Sequence, residues 1–405
     1  MEQKLIIIRK EPYMIAALAE NGRIAELHVA PEAKTSVRVG DIYIGRVKKL
    51  VPNIEAAFLE IQPGLECYYS LAKNPEPFFT HKSGKKSLCI GDELLVQVER
   101  EAVKTKAPTV TSRLSFTGKY AVLTTGNTIC GVSGKIQGEK RERWKQTVQE
   151  WKNDRFGIVI RTNAQDMSAE IVKKEVDQIM TEADLLIQKA ASRVCFSCMK
   201  QTPPEYLTCI QGLTAGRQTE ILVEEEHLYE DVREYLTERQ PEDLPMLSRY
   251  QDPLLPLDKL YSVEYTIREA LKERVWMKSG AYLVIQPTEA LTVIDVNSGK
   301  CVLKKKDREG FLKVNLEAAR EAARQIRLRN LSGIILIDFI NLEDSCQQEQ
   351  LLTVLADELA KDTVKAEVID VTKLQLVEIT RRKVHKPLHE AFQTVGSKKE
   401  GEGYE

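Results

Sequence analysis

The chain lacks a long hydrophobic run. Even the apolar stretch from Ile334 to Ile340 is interrupted by Asp338, whereas a membrane-spanning helix needs about 20 apolar residues. No membrane partner is expected. The opening MEQKLIIIRKE returns to charge after a short apolar core, so it reads as a strand and not as a signal peptide, and a cytoplasmic location is expected. An excess of one charge is also missing: 59 Lys and Arg face 60 Asp and Glu, for a net charge of -1. That excludes a global positive field, and a nucleic-acid binder of this composition must rely on local basic patches. No internal repeat is present. The eight cysteines, at 67, 89, 130, 195, 198, 209, 301 and 346, are scattered without the spacing of a disulfide framework, so reduced thiols are expected. Only Cys195-Phe-Ser-Cys198 has metal-ligand spacing. It lies in ADLLIQKAASRVCFSCMK, which reads as helix, and two small residues filling a helix face compete with half of a metal site.

What is present is a soluble globular balance, 42% hydrophobic and 29% charged over 405 residues. That length predicts about two to four domains. Residues 1–35 read as short strands, with a turn at Asn21-Gly22. Residues 36–117 keep β character, with Pro and Gly turns at the spacing of a small OB-type barrel. Residues 118–205 mix strands (YAVLTT, FGIVIRT) with helices over Glu139–Lys152 and Ser168–Lys200. Residues 206–270 give a strand, TEILVEE, and two helices, HLYEDVREYLTER and LYSVEYTIREALKE. Residues 271–380 read as strand, strand, helix, strand, helix, strand, which argues for an α/β layer. The polar tail, 394–405, is expected to be disordered.

Two of these strands carry an aspartate in a buried-looking apolar run: Leu291-Thr-Val-Ile-Asp295-Val-Asn297 and Ile334-Ile-Leu-Ile-Asp338-Phe-Ile340. An ionised carboxylate there is costly without a partner. Aspartates near the ends of neighbouring strands can share one Mg²⁺, a hard cation that favours carboxylate oxygens and retains waters. Asn297, two residues after Asp295, then shares its strand face, and Glu289 is a candidate supporting acid. The competing reading makes both aspartates structural caps of the segments that follow.

These residues resemble the ribonuclease E/G endoribonucleases. The match is dense over Pro287–Gly299, Asn315–Ala319 and Arg324–Ile340, with further likeness at Gly40–Arg46, Glu55–Phe58 and Phe156–Thr162. It implies an α/β and α+β multidomain fold. An RNase H-like layer (1–35 and 206–270) would carry an inserted S1-type OB barrel (36–117) and a 5′-sensor (118–205). A DNase I-like catalytic domain (271–393) would follow. The resemblance implies that Asp295 and Asp338 ligate Mg²⁺, with Mn²⁺ as a substitute, and that Asn297 positions water or the scissile phosphate. Phe58 and Tyr68 would stack unpaired bases, with Lys106 on the RNA backbone; by pattern alone, Phe58 reads equally as barrel core. Gly118, Val122, Arg161, Thr162 and Lys365 would sense a 5′-monophosphate.

The sequence departs from the family pattern in three places. Gly134, beside Lys135, and Lys365 stand where better-known members have arginine, so sensing is expected to weaken, because lysine lacks the bidentate fork. The CPxCxG zinc-link is absent, so zinc and a zinc-linked dimer are not expected, while a homodimer of another kind is compatible. The family's small C-terminal domain and scaffold tail find no match in these residues, and no docking platform for partner enzymes is expected. The basic runs Lys304–Lys306 with Arg308, and Arg381–Lys383, read either as phosphate contacts or as solvated faces. The expected activity is internal hydrolysis of single-stranded, AU-rich RNA in rRNA maturation or mRNA decay. The rivals are a non-catalytic RNA-binding or ribosome-assembly factor and a nuclease acting on DNA.

Overall fold

The structure, a computed structural model, describes residues 2–32, 37–82, 88–102, 107–213, 218–301, 308–384 and 386–396. The chain forms two compact units, one of residues 1–33 with 205–405 and the other of residues 34–204.

The first unit begins with an antiparallel meander of β1 (Glu2–Lys10), β2 (Tyr13–Glu20) and β3 (Arg23–Pro31). Asn21 and Gly22, between β2 and β3, both take positive φ, as a two-residue hairpin connection of the primed type requires. Both faces are covered: Leu5 and Ile7 pack with Val223 and Leu236, Ile6 and Ile8 with Val263 and Leu328.

The second unit opens with β4 (Ile42–Val51), β5 (Ala56–Gln62), β6 (Leu65–Ser70), β7 (Phe79–His81), β8 (Glu93–Arg100) and β9 (Thr109–Thr111). The strands pair in the order β4-β5-β6-β9-β8, and β8 pairs back onto β4, so five strands close into a barrel consistent with the OB fold. Val47, Leu59, Tyr69, Val96 and Val110 fill its interior. Next come β10 (Ser115–Thr117), β11 (Ala121–Thr124), β12 (Cys130–Val132), α1 (Gly138–Glu150), β13 (Gly157–Ile160) and α2 (Ala169–Ala190). Their four strands form a sheet in the order β10-β11-β13-β12. Ser168 caps α2 by accepting the Ile171 N–H.

The sequence pattern carried α2 on to Lys200, but the helix stops at Ala190. Phe196 then turns the chain with φ of 69°, and β14 (Cys198–Lys200) pairs with β4. A sheet edge that accepts these backbone groups competes with helix continuation, and local periodicity does not report it. Cys195 and Cys198 therefore lie in a turn and a strand, not on a helix face.

The chain returns to the first unit through α3 (Glu205–Thr208), β15 (Gln218–Val223), α4 (Glu226–Arg239) and β16 (Leu247–Arg249). β15 pairs in parallel with both β1 and β16, completing a five-stranded sheet of order β16-β15-β1-β2-β3. The helix expected over 260–273 is two, α5 (Leu257–Leu260) and α6 (Val263–Ala270), broken where Ser262 takes φ of 52°.

The remaining elements are β17 (Arg274–Trp276), β18 (Tyr282–Pro287), β19 (Leu291–Asn297), α7 (Arg308–Leu328), β20 (Gly333–Asp338), α8 (Ser345–Ala360), β21 (Ala366–Val371), β22 (Leu376–Arg381) and α9 (Leu388–Gly396). The sheet order is β17-β18-β19-β20-β22-β21, and its one parallel pair is β19 with β20, joined by the α7 crossover. Alternation places Ile294, Val296, Ile335 and Ile337 on the face that packs with Ala318, Ala319, Ala322 and Ala323 of α7. The small alanines let the helix lie close to the sheet.

The apolar run of β20 reads as buried in the sequence, yet Ile334 is 54% exposed. Only one face carries the core, which changes how its aspartate is read. The tail expected to be disordered from 394 begins inside α9, which extends to Gly396; residues 397–405 lie outside those described.

Candidate active site

β19 and β20 run parallel in a register that sets Asp295 directly opposite Asp338. Paired positions point to the same side of a sheet. That side is the open one: Asp295 and Asn297 are half-buried and Asp338 is exposed, while Ile294, Val296 and Ile337 face the core. Two like charges directly opposite one another are destabilising. No described lysine or arginine forms an ion pair with either. Asn297 donates its Nδ2 to Asp295 Oδ2 at 2.7 Å. A carboxylate only accepts, so the amide meets Asp295 through its nitrogen, and the Asn297 carbonyl oxygen takes no part in this bond. The donor set is therefore oxygen from two aspartates and an amide.

Among the described residues no group of three or more His, Cys, Asp or Glu is gathered to hold a metal. Two carboxylates suit Mg²⁺, which is commonly held by one or two of them while it keeps waters and binds substrate phosphate.

Asn315 supports the pair from behind. It is buried on α7, donates Nδ2 to the Ile340 carbonyl at 2.6 Å and accepts the Ile340 N–H at 3.1 Å. This clamps the backbone two residues beyond Asp338.

Glu289 is not brought to the pair. It lies exposed in the turn before β19, and Asp295 is four residues into that strand from Leu291, roughly 13 Å along it. A supporting role at the aspartates is corrected on that ground. Arg381 is likewise removed from the candidate phosphate contacts. It is buried, with Nε 2.7 Å from Asp362 Oδ2 and NH1 donating to Asn330 Oδ1 at 2.6 Å and to the Leu331 carbonyl at 3.0 Å. Arg382 and Lys383 remain exposed. Arg308 pairs with Glu343, and Lys304–Lys306 lie outside the described residues.

In the second unit, Phe58 and Tyr68 are register partners on β5 and β6, with ring centroids 6.1 Å apart in an edge-to-face arrangement. Both are half-buried and point away from the barrel interior, which Leu59 and Tyr69 occupy. Phe58 is thus not a core residue. Lys106 lies outside the described residues.

Arg161 donates its guanidinium to the Gly118 carbonyl, and its backbone N–H bonds the Tyr120 carbonyl at 2.8 Å. Thr162 Oγ1 lies 3.1 Å from Ser133 Oγ. Val122 sits on β11 opposite Val159 of β13, so these four residues are grouped on neighbouring segments. Gly134 has open space where a side chain would begin. Lys365, in the other unit, pairs with Glu367 at 2.8 Å.

Sequence reasoning missed Glu175. Its carboxylate accepts the N–H groups of Lys119, Tyr120 and Ala121 at 2.7, 2.8 and 3.0 Å, fixing the turn beside Gly118. Burial pushes this carboxyl upward in pKa, against the lowering effect of those amides. Cys195 is half-buried and Cys198 exposed, and burial raises both thiols.

The family model described as the ribonuclease E/G family matches residues 115–384. The chain belongs to the ribonuclease E/G family. It is similar to ribonuclease G of Haemophilus influenzae, 30% identical over 383 residues that cover 92% of this chain and 78% of that protein. Ribonuclease G of Salmonella typhimurium is 31% identical over 381 residues, covering 91% and 77%. Ribonuclease E of Synechocystis is 31% identical over 393 residues, covering 95% of this chain but 58% of that longer protein.

Within this ribonuclease E/G family member, Asn315 had a legible signal. It is a polar residue on the apolar stripe Val314, Ala318, Ala319, Ala322 of a helix, where burial demands hydrogen bonds. Glu175 had none, because its partners are backbone amides 54 to 56 residues away.

Proposed function

We propose that the chain is a metal-dependent endoribonuclease that hydrolyses internal phosphodiester bonds of single-stranded RNA. The observation that carries this is the parallel register of Asp295 with Asp338 on an open sheet face, with Asn297 bonded to Asp295. Membership in a family whose relatives are named ribonuclease G and ribonuclease E supports it. In this reading Asp295 and Asp338 hold Mg²⁺, or Mn²⁺ in its place, and Asn297 presents its amide to the attacking water or the scissile phosphate. A bound divalent cation supplies charge for the phosphate oxygens and lowers the pKa of a coordinated water. In-line attack by water leaves a 5′-phosphate on the downstream product.

Phe58 and Tyr68 offer ring surface to unpaired bases, which suits sequence-tolerant binding of single strands, a condition that AU-rich RNA meets by pairing weakly. Arg161 and Thr162 beside Gly118 and Val122 offer a guanidinium and a hydroxyl to a 5′-monophosphate. With Gly134 and Lys365 in place of arginines, stimulation by that group is modest. We assign the meander and residues 206–270 to an RNase H-like domain, 36–117 to an S1-type barrel, 118–205 to the sensor and 271–393 to a DNase I-like domain. The cellular setting is cytoplasmic rRNA maturation or mRNA decay.

The test is to incubate a defined RNA, its deoxy analogue and a 5′-hydroxyl version with the purified protein over a Mg²⁺ titration, then map ends. Expected are internal cuts in RNA alone, 5′-phosphate products and no cutting in a chelator. Binding without cutting at any Mg²⁺ or Mn²⁺ concentration sinks the reading and leaves an RNA-binding factor.

A further inference from the structure

The open sheet face carries a second group of side chains beyond the aspartates. Register pairs run across it in two rows. One row is Arg274, Val284, Asp295 and Asp338; the next is Trp276, Tyr282 and Asn297. Tyr282 thus lies one strand from Asn297 and Trp276 two strands, about 5 and about 10 Å across the sheet.

Trp276, on the edge strand β17, is 52% exposed. Its ring centroid is 4.9 Å from that of Tyr282, with the planes tilted by 53°. The Arg274 guanidinium lies 4.5 Å from the Tyr282 centroid and 6.0 Å from that of Trp276, and Lys300 Nζ lies 5.8 Å from the Trp276 centroid. The loop after Asn297 is fixed against this group. Lys300 N–H bonds the Gly280 carbonyl at 2.9 Å, and Gly299, at φ of 52°, approaches so closely that a Cβ would stand 2.9 Å from Tyr282 Cδ1.

We propose that Trp276 and Tyr282, flanked by Arg274 and Lys300, form a stacking subsite for one unpaired base of the nucleotide next to the scissile phosphate. The proposal rests on the nuclease reading and names where the substrate lies beside that same site. An exposed aromatic pair takes the face of any base. Two cations at its rim meet the phosphates that flank such a base, and cation–π contact holds the rings in place. A base inside a duplex has both faces covered, so the subsite discriminates against paired substrate within the catalytic unit itself, without the barrel. It also holds the backbone in line with the row that carries Asp295 and Asp338, which is positioning of the kind that raises rate.

The experiment uses the full chain and a short single-stranded RNA with one mapped cut, carrying 2-aminopurine or an abasic ribose at each position in turn. Expected is a stacking-dependent fluorescence change at one position adjacent to the cut, read on Asp338→Asn to prevent cleavage. Trp276→Ala removes that change and lowers kcat/KM about 5- to 150-fold, the equivalent of one stacked base; Trp276→Phe keeps most of both. With the abasic ribose at that position, wild type and Trp276→Ala converge. An equal loss on every abasic substrate, an unchanged fluorescence response, or a shift in oligomeric state in place of RNA affinity overturns the subsite. If the wild type makes no cut, the nuclease reading falls. A Trp276-dependent response to bound RNA then still supports a stacking site on this face, and its absence overturns that as well.

Discussion

Asn297 and Asp295 share one strand face and one hydrogen bond, Nδ2 to Oδ2 at 2.7 Å, with Asp338 in register across the parallel pair. The arrangement concentrates oxygen donors where no described cation balances them. Asp295→Asn or Asp338→Asn is expected to lower kcat by roughly 100-fold or more, because loss of merely an outer partner of a metal ligand typically costs about 10- to 100-fold. RNA affinity and melting temperature should stay near wild type. Single-turnover cleavage at wild-type rate by both variants refutes the assignment.

The barrel aromatics make a separate prediction. Phe58→Ala and Tyr68→Ala should each weaken single-stranded RNA binding by about 1–3 kcal/mol, the worth of one stacked base. Both rings point out of the barrel, so thermal stability should change little. Fluorescence anisotropy with a labelled oligonucleotide reads the first effect and calorimetry the second. A large fall in stability with unchanged affinity contradicts the stacking role.

The closed barrel and the α/β order of the catalytic sheet were legible in sequence because alternation and turn residues are local signals. The 3.6-residue pattern located α7 and α8 for the same reason. What escaped depends on partners distant in the chain. β14 exists because β4 offers an edge, β17 has only three residues, and β22 reads as an ordinary polar-apolar segment until β20 and β21 flank it. At the site, the spacing of Asp295 and Asn297 was readable from one strand. That Glu289 falls at the wrong end of β19, and that Arg381 turns inward, required the fold.

Arg381 and Asp362 form a buried ion pair at 2.7 Å, with side chains 3% and 4% exposed. Removing one partner strands the other charge in a dry site. Arg381→Ala should therefore destabilise the protein by roughly 3–5 kcal/mol, read by urea denaturation. RNA affinity at a temperature where the variant is folded should be unchanged. A variant of normal stability with weakened RNA binding would restore Arg381 as a phosphate contact.

His28 lies between Glu205 and Glu26, with ring nitrogens 3.0 and 3.3 Å from their carboxylates. Burial on its own lowers the imidazole's pKa, but the two carboxylate bonds outweigh it and raise the value from 6.5 to about 10. Burial likewise favours a protonated Glu26, yet His28 and Arg327 bring it from 4.5 down to about 2. The stability that His28 contributes is complete below pH 6.5 and is lost as the pH climbs towards about 10. That of Glu26 is complete above pH 4.5 and is lost as the pH falls towards about 2. Melting temperature measured against pH should fall along the alkaline limb, and His28→Gln should flatten that limb. An alkaline limb identical in wild type and variant counts against the cluster.

The parallel pairing of β1 with β15 joins Glu2–Ile7 to Gln218–Val223, so β1 leaves the ribosome and waits for a partner strand made more than 200 residues later. At the usual pace of synthesis that interval is roughly 10–40 seconds. Through it the nascent meander offers a bare backbone edge to any extended neighbour, while the 34–204 unit has all its own strands and can fold first. Expression strain, temperature and chaperone supply should therefore govern the yield of this enzyme more than its final stability does, because its most vulnerable moment comes before the chain is complete.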